Sequence, residues 1–232
     1  MNNRATLLPF VLLVSLAFIW GSSFILMKQG LMVFNPVQVG LLRVITAGIC
    51  LAPMALFFLL RRRGRYPLPK LALTSMSGNV LPGILFPLAL TKLDSSTGGV
   101  LNSLTPLFTL LLGAAFFHRP MQRNQTLGLV LGFVGAAGLI LLQPGGGFDP
   151  DSAYGLFVVA AAFCYGFNVN FVKNKLSHLS APEITSIALL LASIPTGLFF
   201  LVVYDAPALM AQPGAWAALG YLVLLGAVGT AG

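Results

Sequence analysis

Apart from residues at the edges, Arg43 is the only charge inside any of the long apolar runs of this sequence. A guanidinium held there suits a carboxylate or another anionic group. Polar and aromatic side chains recur in the same runs. They are Trp20 with Ser22 and Ser23, Asn79, Asn102 with Ser103, and Tyr165 with Asn168 and Asn170. Such a set donates and accepts hydrogen bonds and offers aromatic surface, which is equipment for binding a small polar molecule. No carboxylate lies within an apolar run, so an acid–base pair and an Asp or Glu proton relay are both missing there. His118 and His178 fall in separate loops and make no HExxH-type metal site. No Gly-rich phosphate loop ends in Lys-Ser/Thr, and Gly145, Gly146 and Gly147 precede Asp149 in a loop. The expectation is a protein that is not an enzyme and uses neither cofactor nor metal.

Each candidate also has a plainer reading. Arg43 lies about 10 Å along a helix from Pro36, close enough to snorkel to the surface or to hold helix-end carbonyls. Trp20 suits an interfacial aromatic belt. The serines and asparagines suit interhelical hydrogen bonds, worth about 0.6 kcal/mol each. Gly128 and Gly132 form a GxxxG pair that Ala136 continues, which implies close helix packing, with a homodimer seam as the alternative. Pro53, Pro82, Pro87, Pro106 and Pro195 interrupt apolar runs, where proline bends a helix and frees a carbonyl.

The elements that must hold these residues follow from composition. Apolar residues make up 57% of the 232 and charged residues 8%, against about 25% charged in soluble domains. Mean hydropathy is +0.92. Such a chain is neither soluble nor disordered. A helix needs about 20 apolar residues to cross a bilayer. Candidate spans fall at 7–28, 36–60, 70–91, 97–117, 125–142, 154–172, 184–204 and 215–232. These runs are longer than barrel strands and do not alternate, so the fold class is an all-α multi-pass membrane protein. The first run is too long for a signal peptide and is retained. Cys50 and Cys164 lie in apolar runs and read as buried free thiols. The net charge of +8 does not form a nucleic-acid face, because the bases come in short bursts between spans. Counting sides alternately, ten basic residues flank one face of the membrane and two the other, with Arg43 between. The positive-inside rule then places the N-terminus in the cytoplasm.

A repeat organises the spans. At an offset of 145, Ala17, Phe18, Gly21, Lys28 and Leu31 meet Ala162, Phe163, Gly166, Lys173 and Leu176, and Trp20 meets Tyr165. One residue later in register, Pro36 meets Pro182. The expected units are 1–148, with five spans, and 152–232, with three. Five spans are an odd number, so the second unit starts on the opposite side, as in the inverted repeats of transporters. Two full units would make ten helices, of which eight are present.

Trp20-Gly21-Ser22-Ser23-Phe24 resembles the signature of the EamA branch of the drug/metabolite transporter superfamily. Pro36 followed by Leu42-Arg43 is similar to that family's second helix, and Leu104-Thr105-Pro106-Leu107-Phe108 to its fourth. The run from Gly128 to Leu142 is similar to its glycine-rich fifth helix. Family members usually carry a Glu just after the fourth helix, where this chain has His118. The resemblance implies two inverted five-helix repeats in the inner membrane. It also implies alternating-access transport, with export, of small metabolites such as amino acids. The partners are then a small-molecule substrate and the lipid bilayer, with no nucleic acid. The alternatives are a non-transporting membrane subunit or truncated product and, last, a membrane enzyme acting on lipid.

Overall fold

A computed structural model describes residues 3–61, 66–117, 119, 121–141 and 150–229. His118, Asp149, the three glycines before it, and Arg62, Arg63 and Arg65 lie outside the described residues. The described chain is helical throughout, with no strand. Its helices are α1 (Asn3–Gly30) and α2 (Pro36–Arg61), α3 (Leu68–Leu90) and α4 (Ser95–Phe117), and α5 (Arg123–Leu141). Then come α6 (Gly155–Lys175) and α7 (Ala181–Val203), a short α8 (Ala206–Met210) and α9 (Ala215–Gly229). Among the described residues, α2, α3, α4, α7 and the stretch Asp151–Lys175 containing α6 are long and apolar enough to cross a membrane. This is an all-α multi-pass membrane protein.

The prolines act differently from one another. Helix α2 runs through Pro53, α3 through Pro87 and α7 through Pro195. The breaks lie just before Pro82 and Pro106 instead. Met76–Val80 is a π turn, closed by the Leu81 N–H donating to the Met76 carbonyl five residues back. Pro82 follows with no N–H to continue the ordinary ladder. Helix α4 breaks its regular pattern at Ser103, three residues before Pro106.

Helices α2 and α7 form the central pair. Helix α6 packs on α3 and α4, and α9 packs on α1 and α2. Gly166 lets α6 approach α4: a Cβ there would come within 2.8 Å of the Phe108 backbone. Gly132 and Ala136 face inward, with Gly132 against Leu107 of α4 and Ala136 in the core. Gly128 is exposed and has no neighbouring heavy atom within 4 Å. The expected GxxxG face is therefore split, because only its second half meets a helix. Both cysteines are free, but Cys50 is exposed and Cys164 only partly covered, which corrects the expectation of buried thiols.

Short connections alternate the helix direction and give the bundle two distinct ends. At one end Lys28 pairs with Asp94 at 3.6 Å and donates to the Leu93 carbonyl at 3.0 Å. There too Lys92 pairs with Asp151 at 3.2 Å, joining the end of α3 to the start of α6. These pairs are largely exposed, so each contributes at most about 1 kcal/mol. At the other end Glu183 is buried, accepting from the Tyr66 hydroxyl at 2.9 Å and from the Ser180 N–H at 2.8 Å. Glu183 thus caps α7 and ties it to the start of α3.

Candidate functional site

Five helices place polar side chains around one cavity of about 130 Å³. Helix α1 contributes Trp20, Ser23, Phe24 and Met27, a spacing that keeps all four on one face. Helix α2 contributes Arg43, and α3 contributes Gly78, Asn79 and Phe86. Asn102 of α4 and Tyr165 of α6 complete the polar lining. The cavity reaches from the middle of the bundle toward the Lys28 end.

Arg43 is only partly covered. Its Nη1 donates to the Met27 sulfur at 3.7 Å. Among the described residues no carboxylate lies within ion-pair distance of it, and none lines the cavity. Among the described residues it bonds no helix-end carbonyl either. The Asn102 carbonyl oxygen accepts from the Thr105 hydroxyl at 3.2 Å, leaving its NH₂ group available. Among the described residues, the Asn79 amide and the Tyr165 hydroxyl make no hydrogen bond to protein. The π turn carries Gly78 and Asn79 into the cavity wall. π turns inside α-helices occur often at functional sites.

An aromatic wall faces these polar groups. Phe24 meets Phe86 edge-on at 5.5 Å between ring centroids, and Phe86 lies 5.9 Å from Tyr165. The cavity therefore offers a guanidinium, two amides and a phenol over aromatic surface. It can hold a small molecule with an anionic or polar end and an apolar body.

Of the ten residues singled out by sequence, Trp20, Ser23, Arg43, Asn79, Asn102 and Tyr165 line this cavity. Ser22 is exposed beside it. The Ser103 hydroxyl donates to the Val100 carbonyl in its own helix at 2.6 Å, away from the cavity. The Asn168 side-chain amide lies 3.3 Å from the Ser77 hydroxyl oxygen and backs the π turn at Gly78. Asn170 is fully buried and donates to the Thr109 and Gly166 carbonyls at 2.8 and 2.9 Å. It bolts α6 to α4. Phe24, Met27, Gly78 and Phe86 were missed. Helical spacing from Trp20 and Ser23 points to Phe24 and Met27. Nothing local marks which face of α3 turns inward.

Residues 7–141 match the EamA-like transporter family. An "Uncharacterized transporter" of Archaeoglobus fulgidus is 25% identical over 178 residues, covering 76% of this chain and 61% of that protein. A Salmonella typhimurium protein named "Probable amino-acid metabolite efflux pump" is 27% identical over 183 residues, covering 76% and 57%. The inner membrane transporter YedA of Escherichia coli is 23% identical across 98% of this chain and 73% of its own length. The chain thus spans about three-fifths of the length of the first two. A solved structure, titled only as the crystal structure of a protein, superposes with a TM-score of 0.58. It does so over 99% of this chain and 80% of its own, at 17% identity, a likeness of fold.

Proposed function

Because this chain belongs to the EamA-like transporter family, we propose that it moves a small metabolite across the membrane through the cavity between α1, α2, α3, α4 and α6. The carrying observation is the convergence there of Arg43, Asn79, Asn102 and Tyr165, from four helices, with hydrogen-bonding groups not spent on protein. These half-buried polar groups have bonding capacity to spare, and a substrate or the water it displaces supplies partners. In this reading Arg43 holds a carboxylate or other anionic group, the amides orient it, and Phe24, Phe86 and Tyr165 hold the apolar body. The protein does no covalent chemistry. Direction is outward, the N-terminus is cytoplasmic, and the membrane is the inner one.

Alternating access follows from the repeat. Under the 145-residue offset α1 exchanges with α6, α2 with α7, and α3 with α9. The packing pairs follow the same exchange: α1 on α9 answers α6 on α3, and α2 on α9 answers α7 on α3. Helices α2 and α7 answer each other across the centre. Trp20 and Tyr165, matched by the offset, sit in the same cavity. Two such units rock about the site, opening it first to one side and then to the other.

Growth under a panel of toxic amino-acid analogues tests this reading. Expression protects cells against at least one anionic analogue, and Asn79→Leu removes the protection at unchanged membrane levels. Protection that survives Asn79→Leu together with Arg43→Gln contradicts the site assignment.

A further inference from the structure

The two repeat units meet differently at the two ends of the bundle. By the 145-residue offset, Asn35 and Gln38 at the start of α2 answer Ser180 and Glu183 at the start of α7. Each pair closes on itself, as reciprocal helix caps do. The Asn35 N–H donates to Gln38 Oε1 and the Gln38 N–H to Asn35 Oδ1, both at 2.9 Å. The Ser180 N–H and hydroxyl both donate to Glu183 Oε2 at 2.8 Å. The other carboxylate oxygen of Glu183, Oε1, accepts from the Tyr66 hydroxyl at 2.9 Å. Tyr66 belongs to the first unit and Glu183 to the second, and both are buried. The same offset puts Ala211 in the place of Tyr66, so Gln38, which carries no charge, is given no matching phenol.

A plug of apolar side chains surrounds this link. Ala55, Tyr66 and Leu71 of the first unit pack with Leu176, Ile184 and Ile187 of the second. On α2, α3 and α7 they stand beyond Ala47, Gly78 and Leu189 of the polar cavity, toward the Tyr66 end. The cavity itself reaches the other way. At that other end Lys92 and Asp151 join the units as an exposed pair, which contributes little. A hydrogen bond from a phenol to a buried carboxylate is stronger. We propose that Tyr66 and Glu183 form the interlock of the transport path: their bond holds the plug shut, and it breaks each time this end opens. The proposal rests on the reading that substrate passes between the two units.

Cysteine modification tests the interlock without substrate. In the full chain Cys50 and Cys164 are replaced by serine, and Ile187→Cys is introduced into the plug. A small membrane-impermeant thiol reagent is applied to sealed vesicles. Vesicles in which the exposed position of Lys175→Cys reacts are those that present the Tyr66 end. Tyr66→Phe removes only the hydroxyl, and it speeds modification of Ile187→Cys from the Tyr66 end about tenfold. Leu90→Cys, also buried but at the opposite end, reacts from that opposite end at an unchanged rate. An unchanged rate at Ile187→Cys overturns the proposal. Equal acceleration at both sites overturns it too, because it marks a contact that only supports the fold. If Tyr66→Phe does not accumulate, Glu183→Gln carries the test. It keeps the cap, as Gln38 does, and loses the charge, so Ile187→Cys again reacts faster; no acceleration overturns the proposal. Absence of protection against toxic analogues leaves this labelling result standing, and a failed interlock leaves the protection standing, so the two readings fail separately.

Discussion

Arg43 and Asn170 are both polar residues within the bundle, and their surroundings assign them opposite work. Asn170 has no exposed surface, and its NH₂ group is fully used by the Thr109 and Gly166 carbonyls. Asn170→Leu removes both bonds, including the α6–α4 link through Thr109, at a cost of about 1–3 kcal/mol. Thermal unfolding in detergent should show a lowered midpoint, while the substrate KM of the surviving protein stays unchanged. Among the described residues Arg43 makes one side-chain hydrogen bond, to the Met27 sulfur, and it is only partly covered. Arg43→Gln should therefore reach the membrane at normal levels and lose most transport, with Arg43→Lys recovering only part, since Lys lacks the planar fork. Normal transport by Arg43→Gln restores the snorkelling reading. Failure to accumulate makes the residue structural.

Helix seams carry the second class of expectation. A Cβ at Gly40 would lie 2.6 Å from the Gly83 carbonyl oxygen of α3. Backbone cannot yield as a side-chain tip can, so Gly40→Ala should cost about 1–3 kcal/mol in unfolding experiments. Gly21 has no heavy atom within 4 Å of such a Cβ. Gly21→Ala should be neutral or slightly stabilising, since alanine favours helix. The sequence alone treats these two glycines alike. The all-α class and the positions of the long helices were legible because apolar run length is set by bilayer thickness, whereas the short α8 was not. The capping box of Ser180 and Glu183 and the Asp205 cap of the short α8 were not singled out in the sequence. The π turn was not legible. It depends on how Pro82 and the packing of Gly78 against Asn168 settle together, and no periodicity reports that. For the same reason Asn79 stood out by type alone, while Phe86, one apolar residue among many, did not. Asn170 and Ser103 stood out equally by type, yet neighbouring carbonyls engage both.

At the scale of the whole molecule, charge asymmetry and the repeat make linked claims. Reporter fusions after Arg123 and Lys175 should read cytoplasmic, and one after Asp151 should read external. A cytoplasmic signal at Asp151 contradicts a first unit of five spans. The central claim is that the polar cavity opens alternately to the two sides, and Asn79, carried by the π turn near mid-bundle, is the residue that reports on it. With Cys50 and Cys164 replaced by serine, Asn79→Cys can be probed by a small membrane-impermeant thiol reagent. The reagent is applied to right-side-out and, separately, to inside-out vesicles. Labelling from both sides, slowed from both by a transported substrate, is the predicted result; labelling from one side only, or from neither, contradicts it.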